Sequence, residues 1–450
     1  MEYVNGNERL FGAGDLFFSV TDTKGVIRGT NRVFNTLSRY SAEQLIGAPH
    51  NIIRHDDMPA GAFKLMWDEL EQGSPACVYV LNRAQDGMDY WVFATVVPLA
   101  DGYLSVRMRP GNQALFAPVK QMYARVRAAE REYAAAGHSR QEVGRYGAQL
   151  LTEELHKAQF RGFYPFARAA LPRELALLVA EGVRVPARVN SDNPMSEILL
   201  TMAAIERDTD ELVQQLGEYQ ELINGLGVWT TGIRSISERA TRVGSVVTEV
   251  TSPDQDSSVP VVSARVKERI ARALEVLQRL NSFLVALYEV VADVRFRASL
   301  MRLHTLMTGI FAAAVLDGED ADSAVAIGDL AEALVGDLEP LVPSCQNAAD
   351  LAAHLDAEMR SLVSDLDRVN RPFQRWIRAV QDEGALPLNE GADAQALVRE
   401  AVELSERGFP ETASLAELAA KARGAVVTLD APVIRERIET VRQALARMGE

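Results

Sequence analysis

The sequence predicts an α+β protein in which an N-terminal domain, a five-stranded antiparallel sheet with flanking helices, is followed by a long all-α helical-bundle region. Three observations carry this. Short segments alternating apolar and polar residues, separated by Gly- and Asp-containing turns, crowd into residues 16–109. After Pro110 the composition shifts to Ala, Leu, Val, Glu and Arg with few strand signals. Further on, Ile270, Leu274, Leu277, Leu280, Leu284, Leu287, Val291 and Val294 recur at three- and four-residue steps, the seam of a helical bundle.

In chain order, residues 1–14 form an N-terminal cap that packs on a sheet or a partner subunit. Residues 16–21 and 25–29 make a short hairpin around Thr23, Lys24 and Gly25. Ser41 and Gln44 have the spacing of a capping box and open a short helix. Pro59 suits the first position of another, whose Phe63, Met66, Trp67 and Leu70 fall on one face. Just before it, Arg54, His55, Asp56 and Asp57 crowd a loop-to-helix junction, where a carboxylate can cap the helix and the others can face a ligand. Residues 77–83 and 89–97 read as strands joined through the turn at Gln85, Asp86 and Gly87, and residues 102–109 as a last strand. The order is β-β-α-α-α-β-β-β, with a pocket expected between sheet and helices.

Beyond residue 110 the expected helices are 115–136, 139–155, a long 196–250 interrupted at Gly225, Gly227 and Gly232, 261–316, 322–383 with a break at Pro340 and Pro343, and 393–448 with breaks at 408–410 and 429–432. Phe160 to Phe166 and Pro172 are expected to break the pattern, and 252–260 reads as a polar turn. The expected domains are 1–14, 15–110, linker helices 111–195, a helical hairpin 196–320 and a C-terminal helical region 321–450. The seam needs a facing surface, so a homodimer is expected.

Asn51, Arg54, His55, Asp57, Met58 and Pro59, with Phe63, Met66, Trp67 and Leu70, then Asn82, Arg83, Tyr90, Trp91 and Val92, together resemble the flavin-binding PAS domain of bacterial aerotaxis receptors and related energy-taxis transducers. The resemblance covers residues 15–110 only, and it implies that two subunits pair through the sheet faces or N-terminal caps. It implies a redox or oxygen sensor holding FAD, with Arg54, His55, Asp57, Trp67, Asn82, Arg83 and Trp91 as the candidate cofactor-binding residues. Each has a plainer reading: Trp67 as a core residue, His55 as a loop or capping histidine, Arg54 and Asp57 as a mutual brace, and Trp91 as a structural residue facing away from the pocket. Haem with His50 or His55 as axial ligand, or an empty pocket in a docking module, are the alternatives. Ala76, Leu81 and Thr95 stand where the family has Trp, Lys and Asn, and Cys77 lacks the surrounding sequence of photosensory flavin domains. The receptors' Glu- and Ala-rich kinase-docking tip is not found downstream.

Composition narrows the function classes. A formal charge of −15 and a pI near 5.1 argue against a nucleic-acid or anionic-membrane surface as the main activity. Two cysteines, Cys77 and Cys345, are too few for a disulfide framework or a thiolate zinc site. No uninterrupted apolar run approaches eighteen residues, and the N-terminus resembles no signal peptide, so a cytoplasmic protein without an integral membrane segment is expected. No nucleotide-binding loop, cyclase or kinase motif is present, and the expectation is a sensor acting on a protein partner, not an enzyme.

Overall fold

The computed structural model describes residues 3–5, 7–188, 192–249, 259–318, 323–382, 411–424 and 427–449. The strands are β1 (Tyr3–Asn5), β2 (Glu8–Leu10), β3 (Phe17–Asp22), β4 (Ile27–Thr30), β5 (Ala76–Arg83), β6 (Asp89–Leu99) and β7 (Gly102–Met108). Between β4 and β5 lie α1 (Arg32–Ser38), α2 (Ala42–Leu45), a 3-10 turn (His50–Ile53) and α3 (Ala60–Glu71). Then come α4 (Gln113–Ala135), α5 (Arg140–Lys157), α6 (Phe163–Ala180), α7 (Pro194–Glu249), α8 (Val259–Leu316), α9 (Ser323–Asp382), α10 (Glu411–Gly424) and α11 (Ala431–Gly449).

Five strands pair antiparallel in the order β4-β3-β7-β6-β5. The expected cap is itself a hairpin, β1–β2, and β2 joins the start of β6 in parallel, so the sheet has seven strands. The junction is held by the Asp89 amide, which donates to the Asn7 carbonyl at 2.9 Å. Ser41 and Gln44 form the expected capping box on α2, and Gly25, at φ 78°, makes the β3–β4 turn.

The outer sheet face, expected to pair with a partner subunit, is instead covered by the chain's own helices. Tyr79 packs on Phe93, Phe116 and Phe166, with ring centroids 4.9, 5.3 and 6.3 Å away, and Phe18 meets Phe311 of α8 at 4.9 Å. Glu174 of α6, buried, accepts from the Tyr79 hydroxyl at 2.5 Å and from the Gly111 and Asn112 amides at the start of α4. Burial pushes its carboxyl up, against the hydrogen bonds from these three donors.

Prolines break less than their sequence suggests. Pro172 lies within α6, and Pro340 and Pro343 within α9, which runs without interruption. A proline removes one backbone bond, and tertiary packing offsets it here: Leu171, Leu175, Leu338 and Leu341 around these prolines are buried. The helix α7 likewise continues through Gly225, Gly227 and Gly232.

The chain forms two compact units: Met1–Leu212 with Ala292–Pro343 and Leu429–Glu450, and Val213–Val291 with Ser344–Thr428. In the second, Leu277, Leu280, Leu284, Leu287 and Val291 are buried as the seam requires, alongside Leu355, Met359 and Leu418; the Ile270 side chain lies outside the described residues. The break at 408–410 and most of the expected turn at 252–260 also lie outside them, and the last two residues of that turn already belong to α8, which starts at Val259. Residues Leu274–Leu316 of α8 are long and apolar enough to cross a membrane by length and composition, and 78% of that apolar window is buried within the fold.

Candidate ligand-binding site

Strand pleating builds the site. Alternate residues point to one face of a sheet, so β3 turns Ser19 and Thr21 inward, β5 turns Val78, Val80 and Asn82, and β7 turns Tyr103, Ser105 and Arg107. Opposite them, α3 presents Phe63, Met66, Trp67 and Leu70, and a cavity of about 280 Å³ lies between. The walls are largely apolar with a few convergent polar groups, the composition of small-molecule sites.

The helical wall is fixed from outside the sheet. Glu130 of α4, fully buried, accepts from the Ala60 and Gly61 amides at 2.9 and 2.8 Å, satisfying two of the donors left free at the start of α3. Gly61 is so close to α5 that a Cβ there would stand 2.1 Å from the Gly147 carbonyl carbon.

Of the seven candidate residues, Arg54, Trp67 and Asn82 line the cavity. The Arg54 guanidinium lies 4.1 Å above the Phe63 ring, and Trp67 meets Tyr103 edge-on at 5.2 Å. His55, Asp57 and Arg83 are beside the cavity, not on it. Buried His55 accepts the Asp57 amide at Nδ1 (2.9 Å), while its Nε2 lies against Arg83 and 3.3 Å from Asp89, tying the 54–57 loop to the end of β5. Asp57 is exposed and pairs with Arg131 of α4, not with Arg54. Trp91 is on the opposite face of the sheet, against Phe116 and Tyr123 at 5.2 and 6.4 Å, as its position one residue after inward Tyr90 dictates.

Sequence reasoning left out Ser19, Ser105 and Arg107 on the polar floor of the cavity. Arg107 is 5% exposed; its Nη2 donates to Ser19 Oγ at 3.0 Å and to His50 Nε2 at 2.6 Å. Its Cζ sits 5.3 Å from the Phe34 ring and 5.8 Å from Phe17. Burial lowers the Arg107 pKa to about 10, and burial together with the Arg107 charge lowers that of His50 to about 3, so the imidazole is neutral and accepts. Three buried polar atoms on this wall have no partner: Arg107 Nη1, Asn82 Nδ2 and Ser105 Oγ. The inward parity of β7 was the signal that could have found Ser105 and Arg107.

Ala76, Leu81 and Thr95, the three departures from the family pattern, do not line the cavity; Thr95 is bonded on the far face to the Val106 carbonyl at 3.2 Å. Cys77 is fully buried with its thiol pKa pushed up by burial, which makes it a poor nucleophile. Among the described residues no group of His, Cys, Asp and Glu could hold a metal ion.

Over 110 residues the chain is 39% identical to the aerotaxis receptor of Escherichia coli (strain K12), a stretch that is 23% of this chain and 22% of that receptor. The chain thus matches about a fifth of the length of that relative (22%). Among solved structures, similarity extends to the PAS domain of a protein from Colwellia psychrerythraea (25% identity, 21% of this chain and 86% of that one, TM-score 0.20) and to the light-oxygen-voltage domain of the photoreceptor aureochrome 1 (23% identity, 26% and 91%, TM-score 0.21). No family model matches the chain. The N-terminal region is a PAS domain of the aerotaxis-receptor type.

Proposed function

We propose that this chain is a signal transducer whose PAS cavity holds the ring system of a flavin, FAD, and whose helices pass the ring's redox state to a protein partner. The single observation that carries this is the cavity wall, where Asn82, Ser105 and Arg107 each leave a buried polar atom unpaired opposite the aromatic and apolar side of α3. A planar ring with polar atoms on one edge satisfies both walls at once. Trp67 and Phe63 supply the apolar wall, Asn82 a hydrogen bond, and Arg54 a cation, while His55, Asp57 and Arg83 hold the loop that carries Arg54. Bound flavin would supply reversible electron uptake.

Haem is the weaker reading. His55 does not line the cavity, and His50 Nε2 is already occupied by Arg107. With the outer sheet face covered and the seam from Leu277 to Val291 faced within the chain, a homodimer would form through other surfaces. The aerotaxis-receptor likeness is compatible with a cytoplasmic sensor that docks a signalling protein.

The test is the spectrum of the purified full chain. Flavin absorbance bands, with FAD released by heat, are the expected result. Colourless protein that takes up no added FAD would support a ligand-free docking module, and a Soret band would support haem.

A further inference from the structure

The cavity's polar wall has a sign as well as a shape. Its lining contains no Asp or Glu; the charged or titratable side chains on it are Lys24, His50, Arg54, Tyr103 and Arg107. Lys24 and Arg54 are exposed, whereas Arg107 is deep, and neutral His50 accepts from it without offsetting its charge. Tyr90, on the neighbouring strand, is buried and keeps an unpaired hydroxyl. An arginine desolvated this far is ordinarily paired with a carboxylate. Here it has aromatic rings, a serine and an imidazole, and among the described residues no acidic partner forms an ion pair with it. The missing counter-charge falls to the ligand.

We infer that Arg107 is the positioning residue that sets the redox poise of the bound ring, by providing the positive charge against which the reduced ring is held as an anion. The inference rests on the flavin reading above. Asn82 Nδ2 and Arg107 Nη1 can only donate, so the edge facing them is the acceptor-rich pyrimidine edge of a flavin, where negative charge resides after reduction. Two electrons and one proton entering the oxidised ring leave it with one negative charge; the electrons come from a small-molecule reductant, dithionite in the test. Without a buried cation, low-dielectric surroundings favour uptake of a second proton and a neutral ring.

The experiment is a reductive titration of the full chain reconstituted with FAD, against a reference dye between pH 6 and 8, for wild type, Arg107→Met and Arg107→Lys. One proton per two electrons gives a midpoint slope of about 30 mV per pH unit, two protons about 60 mV. Wild type is expected at about 30, Arg107→Met at about 60, and Arg107→Lys near wild type. At fixed potential near pH 7, Arg107→Met is expected to lower the reduced-to-oxidised ratio about tenfold or more, about 30 mV for this couple. A wild-type slope of about 60, or an Arg107→Met slope equal to wild type, overturns the inference while leaving the flavin reading intact. Should Arg107→Met fail to hold FAD, the wild-type slope decides alone. Wild-type protein that binds no FAD overturns the reading and the inference together.

Discussion

The two faces of one sheet are built from the same strands to opposite ends. On the outer face Phe18, Tyr79, Phe93 and Val106 are sealed under helices, and the buried polar groups there are satisfied: Tyr79 by Glu174, Thr95 by the Val106 carbonyl. On the inner face the neighbouring residues Ser105 and Arg107, with Asn82, keep polar atoms unpaired around a cavity of about 280 Å³. An unsatisfied buried donor costs about 1–3 kcal/mol. The outer face is therefore complete within the chain, and the inner face keeps unpaired polar atoms around its cavity.

The contrast can be broken most forcibly from the outer side. Phe93→Ala, at a fully buried ring packed on Tyr79, is expected to lower unfolding free energy in denaturant titrations by about 3–5 kcal/mol. If the loss is below about 1 kcal/mol, the outer face is not the sealed core described here. Next in size, Glu130→Ala strips the carboxylate from two amides at the start of α3 and is expected to cost about 2–3 kcal/mol, with weakened FAD affinity because that helix carries Trp67. Stability lost with ligand affinity unchanged would show that the cavity wall does not depend on its cap.

Smaller effects belong to the inner face. His50 has its pKa lowered from 6.5 to about 3, so between those values the unfolded chain binds a proton that the folded chain refuses. Its contribution is present above about pH 6.5 and is lost as pH falls toward 3. His50→Gln should flatten that part of the stability profile, measured by thermal melts from pH 7 to 4, and an unchanged slope would contradict the burial of a neutral imidazole. Smallest of all, Ser105→Ala removes an unpaired hydroxyl and is expected to change apo stability by no more than about 0.5 kcal/mol, or to raise it, while weakening FAD binding. A clear loss of apo stability would mean that Ser105 is already satisfied.

Strands β3 to β7 and α3 were legible in the sequence because period-two alternation, the turns at Gly25 and Gly87 and the capping box at Ser41 are local signals, whereas β1 and β2 were read only as a cap. The helix α3 could be placed, and with it Trp67, from spacing alone. What spacing could not supply was the pairing across the molecule. Asp57 finds Arg131, 74 residues away, where Arg54 seemed the natural partner; Glu174 reaches Tyr79 over 95 residues. Trp91 was placed among cofactor contacts by its position in the family pattern, although strand parity sends it to the other face. Arg107 escaped notice because a charged residue in a strand end reads as solvent-exposed, and only the folded cavity shows it desolvated. The prolines of α6 and α9 were overread as breaks for a related reason, since packing that outweighs one lost bond is not visible in the residue itself.

The glycine pair at 61 and 147 bears on how this sequence can drift. Because a single methyl at Gly61 would fall 2.1 Å from backbone, and one at Gly147 1.9 Å from a Glu130 carboxylate oxygen, neither position can enlarge by itself. A variant that grew at either site would have to draw α5 or the Glu130 side chain back, and so release the helix that walls the cavity. The chamber is thus policed by residues that do not line it, and lineages in which the cavity is no longer used would be expected to lose these two glycines before they lose the strands.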